Sequence, residues 1–373
     1  MNKIHPTAFA SGKAGFLLLA LCLWNAGCKK IDEHVKTLQP YTQVNLVANN
    51  NEYRTPAHED PTLLNAWGLA FNPNGIPWVA SQAGHVSQVY NSEGETLRPP
   101  VHIPSPGSTE GGGNPTGVVF NADSTAFLIP SGNGAKPAAA RFIFAGVDGV
   151  VSGWNGAQGD KAYRVASTTG VYTGLTLARK GDNTYLYGAN FKDARIDVWN
   201  SKWQKTSWTL TDPYLPAGYA PFNIQVIGDK LYVMYAKAGT GGEEEKGKGL
   251  GLVSVFETNG KFVKRLATGG TLNAPWGLAF TKATADNLFQ DVIWVGNFGD
   301  GRINAYREND GKFLGQLRKS NGNPIVIEGL WALMYPPATS TIDPNRLYFT
   351  AGPDDEQDGL FGYLIPDMNS HVN

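Results

Sequence analysis

The sequence predicts an all-β protein, a six-bladed β-propeller of four-stranded antiparallel blades. Three observations carry this. First, the chain holds 45 Gly and 23 Pro beside 10 Trp, 15 Tyr and 17 Phe, a mixture of turn formers and aromatics that suits short strands. Second, "LNAWGLAF" (Leu64–Phe71) returns as "LNAPWGLAF" (Leu272–Phe280), with weaker relatives at Gly113–Phe120, Val171–Ala178, Ala220–Ile227 and Gly329–Tyr335. Anchored on Trp67, Thr116, Thr173, Phe222, Trp276 and Trp331, these copies recur roughly every 50 residues. Third, each copy is followed by further short strand-like runs divided by Gly, Asn and Asp turns, the pattern of a propeller blade. At 373 residues, 42% hydrophobic and 17% charged, the chain can bury a large core. A net charge of −1 with both signs interspersed gives no footprint for nucleic acid.

The elements follow in order. Lys3 and Lys13 precede the apolar run "AGFLLLALCLW" (Ala14–Trp24), with no acidic residue before Asp32. That run is short for a membrane span and fits a secretory signal over residues 1–27. Its end, "NAGC" (Asn25–Cys28), resembles a bacterial lipoprotein signal, which implies lipidation of Cys28. Only Cys22 and Cys28 occur. Cys22 would leave with the signal, so a lone Cys at the new first position reads as an anchor rather than half a disulfide. The expected address is export with lipid anchoring at the cell envelope, outer membrane or cell surface. Residues 28–40 read as a polar tether, 41–366 as one propeller domain and 367–373 as a tail.

Inside the domain, second strands are expected at "PWVAS", "AFLIPS", "TYLYGAN", "KLYVMYA", "VIWVGN" and "RLYFTAG". Third strands follow at "HVSQVYN", "VVSGWN", "RIDVWN", "LVSVFE", "RINAYR" and "LFGYLI". Fourth strands are expected at "KAYRVAST", "TSWTLT", "GKFVKRLAT" and "GKFLGQLR". The last unit ends at "YLIPD" without a fourth. The alternating strand beginning at Tyr41 can supply it, closing the ring and removing exposed sheet edges. Unit two carries an extra hairpin, "RFIFAGVDGVV" (Arg141–Val151), and a seventh blade there is the alternative.

The fifth unit, P-W-G-L-A-F…I-W-V-G-N…R-I-N-A-Y…G-K-F-L from Pro275 to Leu314, resembles an NHL-type repeat. Longer phrases such as "ARFIFAGVDGVVSGWN", "LPAGYAPFNIQ" and "LYFTAGPDDEQDGLFG" resemble an exported bacterial family of conserved hypothetical proteins, over about residues 42–365. The resemblance implies a propeller and no known activity.

Propeller geometry brings the loops entering the innermost strands together with the loops joining strands two and three, on one funnel face. Candidate ligand-binding residues there are Asn65, Trp67, Asn114, Tyr219, Asn273, Trp276, Glu328 and Trp331. Aligning "LNAPWGLAF" with "IEGLWALMY" sets Glu328 over Asn273. A ring of amides, one carboxylate and aromatics suits a small polar ligand, and its oxygens suit Ca²⁺. The plainer reading is that the Asn residues cap turns and the Trp residues fill blade interfaces. Likeness to the gluconolactonase and regucalcin type of propeller is architectural only.

In "AGPDDEQDG" (Ala351–Gly359), Asp354, Asp355 and Asp358 are metal-ligand candidates beside Glu328, against the alternative of a solvated acidic turn. "NFKDAR" (190–195) and "NFGDGR" (297–302) repeat one phrase. Asp193, Asp300 and Asp148 are expected to accept turn N–H groups, and Arg195 and Arg302 to lie along the adjoining strand, with a salt bridge to a neighbouring blade open to them. His85 is the lone general-base candidate on this face, and Glu328 the carboxylate. "GTGGEEEKGKGLG" (Gly239–Gly251) reads as a flexible insertion able to overhang the face. No HExxH, G-x-S-x-G or Walker phrase occurs. Three classes remain: a binding scaffold for a small molecule, glycan or protein; a Ca²⁺-assisted hydrolase or lactonase; and a protein-assembly module.

Overall fold

Six antiparallel sheets stand in a ring, each contributing its first strand to the central channel. The computed structural model describes residues 38–53, 55–131, 135–283 and 290–367. The expected signal segment, Cys28, most of the tether and most of the tail lie outside the described residues.

Blade one is Ala66–Phe71, Pro77–Ser81, Val86–Val89 and Val101–His102. Blade two is Pro115–Phe120, Phe142–Gly146, Val150–Trp154 and Tyr163–Ser167. Blade three has Tyr172–Lys180, Asn183–Asn190 and Arg195–Trp199. Blade four is Tyr219–Ile227, Lys230–Lys237, Leu252–Glu257 and Phe262–Thr268. Blade five is Pro275–Thr281, Val292–Asn297, Ile303–Arg307 and Phe313–Gln316. Blade six is Leu330–Met334, Leu347–Ala351 and Leu360–Pro366, completed by Tyr41–Ala48. The chain is a six-bladed β-propeller.

The closure is antiparallel, from Tyr41 opposite Pro366 to Ala48 opposite Leu360. A short fifth strand, His58–Glu59, then runs parallel to the end of the closing strand. The edge is thereby shortened to two residues, a small template for misassociation.

Two strand expectations are corrected. In blade two the second strand is Phe142–Gly146, paired with Pro115–Phe120, not the "AFLIPS" run. That run instead contributes Leu128–Ile129 to a two-stranded hairpin with Ala138–Ala139. That hairpin is an insertion in blade two, and no seventh blade forms among the described residues. In blade three the "TSWTLT" segment is not a strand, and the outer side is held by a bridge between Trp199 and Lys205.

The recurrent Gly after the anchor has a packing cause. A Cβ at Gly277 would lie 2.5 Å from the Trp331 carbonyl oxygen, and one at Gly68 would lie 2.8 Å from that of Thr116. Adjacent innermost strands approach so closely that only Gly fits. Between blades, large rings interlock: Trp78 of blade one stacks on Phe142 of blade two with centroids 3.9 Å apart.

Candidate functional site

The loop-bearing end of the channel is closed by aromatic side chains. Trp67, Phe191, Phe222, Trp276, Phe298 and Trp331 form one buried cluster. Trp67 lies 3.8 Å from Trp331 between ring centroids, and Phe298 stacks on Trp331 at 3.9 Å with a 17° interplanar angle. Trp276 packs edge-on against both Trp67 and Trp331. Its indole N–H crosses the channel to the Thr173 carbonyl at 2.8 Å. The three anchor Trp residues are thus brought together, as a buried plug rather than an open ring. The repeated "Asn-Phe" phrase has its cause here: Phe191 and Phe298 both enter the plug.

Asn65 organises the upper side of the plug. Its Oδ1 accepts the indole N–H groups of Trp67 (2.9 Å) and Trp331 (2.8 Å). Its Nδ2 donates to Gln82 Oε1 (3.0 Å) and Glu356 Oε2 (2.7 Å). All four hydrogen-bonding positions of the side chain are used, and the residue is buried with φ +46°, a left-handed conformation that Asn tolerates. Gln82 passes the network on to Asn114 Oδ1 at 3.0 Å.

The 239–251 segment overhangs this face. It is pinned where the Gly247 N–H donates to Asn273 Oδ1 at 2.6 Å and where Leu250 bridges Asn273. Asn273 in turn donates its backbone N–H to Asn297 Oδ1. This strap sets the Lys246 ammonium 4.4 Å from the centre of the Phe298 ring. It also places Glu244 at the site. Burial pushes the Glu244 carboxyl up to about 7, with the nearby charge of Glu356 adding to the effect. Burial likewise raises Glu356, against the hydrogen bond from Asn65 and the charge of Lys246, which pull it down.

The other sequence candidates fall elsewhere. Glu328 is exposed and lines an outer groove with Tyr53, Lys319 and Pro353. The offset has a backbone reason. Counting two residues back from each anchor Trp gives Asn65, Ala274 and Gly329, and all three have positive φ. Glu328 therefore corresponds to Asn273 and Leu64, one place before the turn, and not to Asn65. Tyr219 begins the inner strand of blade four, half-buried opposite Lys237. His85 is exposed at φ +62°, with Nδ1 2.9 Å from the Gly113 carbonyl oxygen.

Asp354 and Asp355 are exposed. Against the cost of burial, hydrogen bonds from Tyr53, Asn49 and Asn50 hold Asp358 below the usual range, so it ties the closing strand to blade six. Among the described residues, no three His, Cys, Asp or Glu side chains converge as a metal site would require. Asp193 and Asp300 accept from Asn190 and Asn297, each at 3.0 Å. Arg195 begins the third strand of blade three and pairs with Asp193 and Asp197 of its own blade, and Arg302 pairs with Asp300, so the ion pairs of both stay within their blades among the described residues.

Comparison with known proteins supplies kinship without activity. No family profile matches the chain. Uncharacterized protein R648 of Acanthamoeba polyphaga mimivirus is 30% identical over 335 residues, covering 86% of this chain and 79% of that protein. Uncharacterized protein L690 of the same virus is 31% identical over 341 residues, covering 87% and 85%. Uncharacterized protein R640 is 28% identical over 254 residues, covering 65% and 46%. These findings correct the resemblance drawn from sequence phrases: the relatives are viral rather than members of an exported bacterial family, and no NHL-type profile is matched. The chain belongs to the family that includes the mimivirus proteins R648 and L690.

Proposed function

We propose that this propeller is a binding scaffold that holds a small polar ligand on its loop-bearing face, beneath the 239–251 strap. One observation carries the reading. Two carboxylates from segments more than a hundred residues apart, Glu244 and Glu356, are drawn into the same partly buried site. Neither has a contact ion pair among the described residues. The Lys246 charge acts on both without touching either; keeping carboxylates so weakly compensated opposes folding, and such groups over a rigid aromatic floor are what a ligand site needs.

Trp67 and Trp331 make natural reporters, because both indole N–H groups meet Asn65, which holds Glu356. Small amines, polyols and carboxylates can be screened against the full chain by following the tryptophan indole N–H signals, with Trp67→Phe and Trp331→Phe for assignment. A binder at this site moves both signals together. If no compound moves them, or binders move only other indoles, the reading fails.

The proposal extends to an exported protein anchored to a membrane through lipid on Cys28, supported by the apolar run and "NAGC". Labelling with a radioactive fatty acid should mark the chain in its native host and be lost in Cys28→Ala. Labelling that persists in that variant would discard the anchor.

A further inference from the structure

We propose that the strapped site is an organic-ammonium site, and that Lys246 is its resident competitor. The inference rests on the ligand site proposed above and names its chemistry. The Lys246 ammonium sits 4.4 Å from the Phe298 ring centre, and Phe298 is stacked on Trp331. Trp331 donates to Asn65, and Asn65 to Glu356. An aromatic face backed by carboxylates is the arrangement that attracts an alkylammonium ion. The protein has filled it with an ammonium of its own.

That occupancy is incomplete. Lys246 Nζ makes no hydrogen bond or ion pair among the described residues, although Glu244 and Glu356 both lie within its electrostatic reach. Its stem leaves the strap one residue before Gly247, which Asn273 pins, so the ammonium meets the ring and stops short of the oxygens. A ligand ammonium free of that tether can meet the ring and accept a carboxylate partner together, adding a charge-assisted hydrogen bond that Lys246 lacks. Lys246 is an exposed residue, and beyond the ring contact it gives up only its longer-range attraction to Glu244 and Glu356 when it leaves. It therefore acts as a weak internal plug, excluding ligands that cannot outbid a single cation–π contact.

The test uses the full chain and the indole signals of Trp67 and Trp331. Two probes carry the same alkylammonium: 1,5-diaminopentane, a free amine, and Nα-acetyl-lysine N-methylamide, a lysine side chain as a polypeptide presents it. Uncharged 1,5-pentanediol is the control. Lys246→Gln should bind one or both ammonium probes at least tenfold more tightly than the wild type. Adding Glu356→Gln, which keeps an acceptor for Asn65 and removes the charge, should abolish that gain. The tighter probe identifies the source of the ammonium. Equal binding by wild type and Lys246→Gln, or a gain that survives Glu356→Gln, overturns the inference. If the diol moves the indoles as well as the amines do, a site exists but does not select charge, so this inference falls and the proposed function stands. If no probe and no member of the wider screen moves them, both fall.

Discussion

The two ends of the central channel are built from the same six strands and have opposite fillings. At the loop-bearing end, six aromatic side chains close over one another, and Asn65 uses every hydrogen-bonding position it has to hold two of them. At the other end, the strands enclose a cavity of about 270 Å³ lined by residues such as Phe71, Phe120, Leu177, Thr176, Gln225 and Met334, with Trp276 at its inner limit. Trp or Phe at four of the six anchor positions fills one end, and mixed side chains farther along the strands leave the other open. Large anchor side chains seal one end of the channel, and precision is concentrated there.

The largest expected effect breaks the seal outright. Trp331→Ala should cost about 3–5 kcal/mol in chemical denaturation, the usual range for a buried Trp. A loss under about 1 kcal/mol would mean that the plug collapses without strain, and the contrast between the ends would weaken. Next comes Asn65→Ala, which strands two buried indole N–H groups. At about 1–3 kcal/mol for each, a loss of roughly 2–6 kcal/mol is expected. The counterpart near the open end is Asn223→Ala, which takes Nδ2 from the Trp276 carbonyl and Oδ1 from the Ile224 N–H and should cost about 1–3 kcal/mol.

A third effect is read in pH. The folded-state pKa of Glu244 is raised from 4.5 to about 7. Below the unfolded value both states hold the proton and nothing is gained or lost. Between the two values the folded chain keeps a proton that the unfolded chain has released, so stability falls as pH rises. Above about 7 the full cost of the charged group is present. Glu244→Gln should thus stabilise the protein by on the order of 3 kcal/mol at pH 8 and leave it unchanged near pH 4. A difference independent of pH would show that Glu244 is not held in this environment. The smallest effect is Met334→Ala at the open end, expected to cost under about 1 kcal/mol, because Met334 is already half-exposed beside a cavity.

The ring itself was legible in the sequence because its signals are local. The anchor recurs in all six units and the Gly after it in four of them, the turn phrases recur beside them, and the strand beginning at Tyr41 had no other partner. Blade two was misread where locality fails. "AFLIPS" and "RFIFAG" are equally apolar, and only pairing with Pro115–Phe120 decides between them. The anchor Trp residues were legible as a set, but their depth was not, since burial depends on what the strap and Phe298 lay over them. Glu244 and Glu356 were visible as members of acidic runs. Their partnership was hidden because the path of a Gly-rich loop is set by single hydrogen bonds such as Gly247 to Asn273. Glu328 does match Asn273, as the alignment had it, but neither matches Asn65, which sits one place further on at the positive-φ turn, a distinction that the letters do not show.

The pairing of Tyr41 with Pro366 has a consequence for biosynthesis. The first strand of the ring to leave the ribosome waits for nearly the whole domain to be made before its partner exists. Until then the nascent chain carries an unpaired apolar strand at one end and a growing sheet edge at the other, a state prone to intermolecular pairing. Closure joins residues more than three hundred positions apart and belongs at the end of folding, as loop entropy and high contact order dictate. A chain interrupted before Leu360 would keep its first strand permanently unmatched, and such fragments should go to aggregates or proteases rather than to a smaller ring.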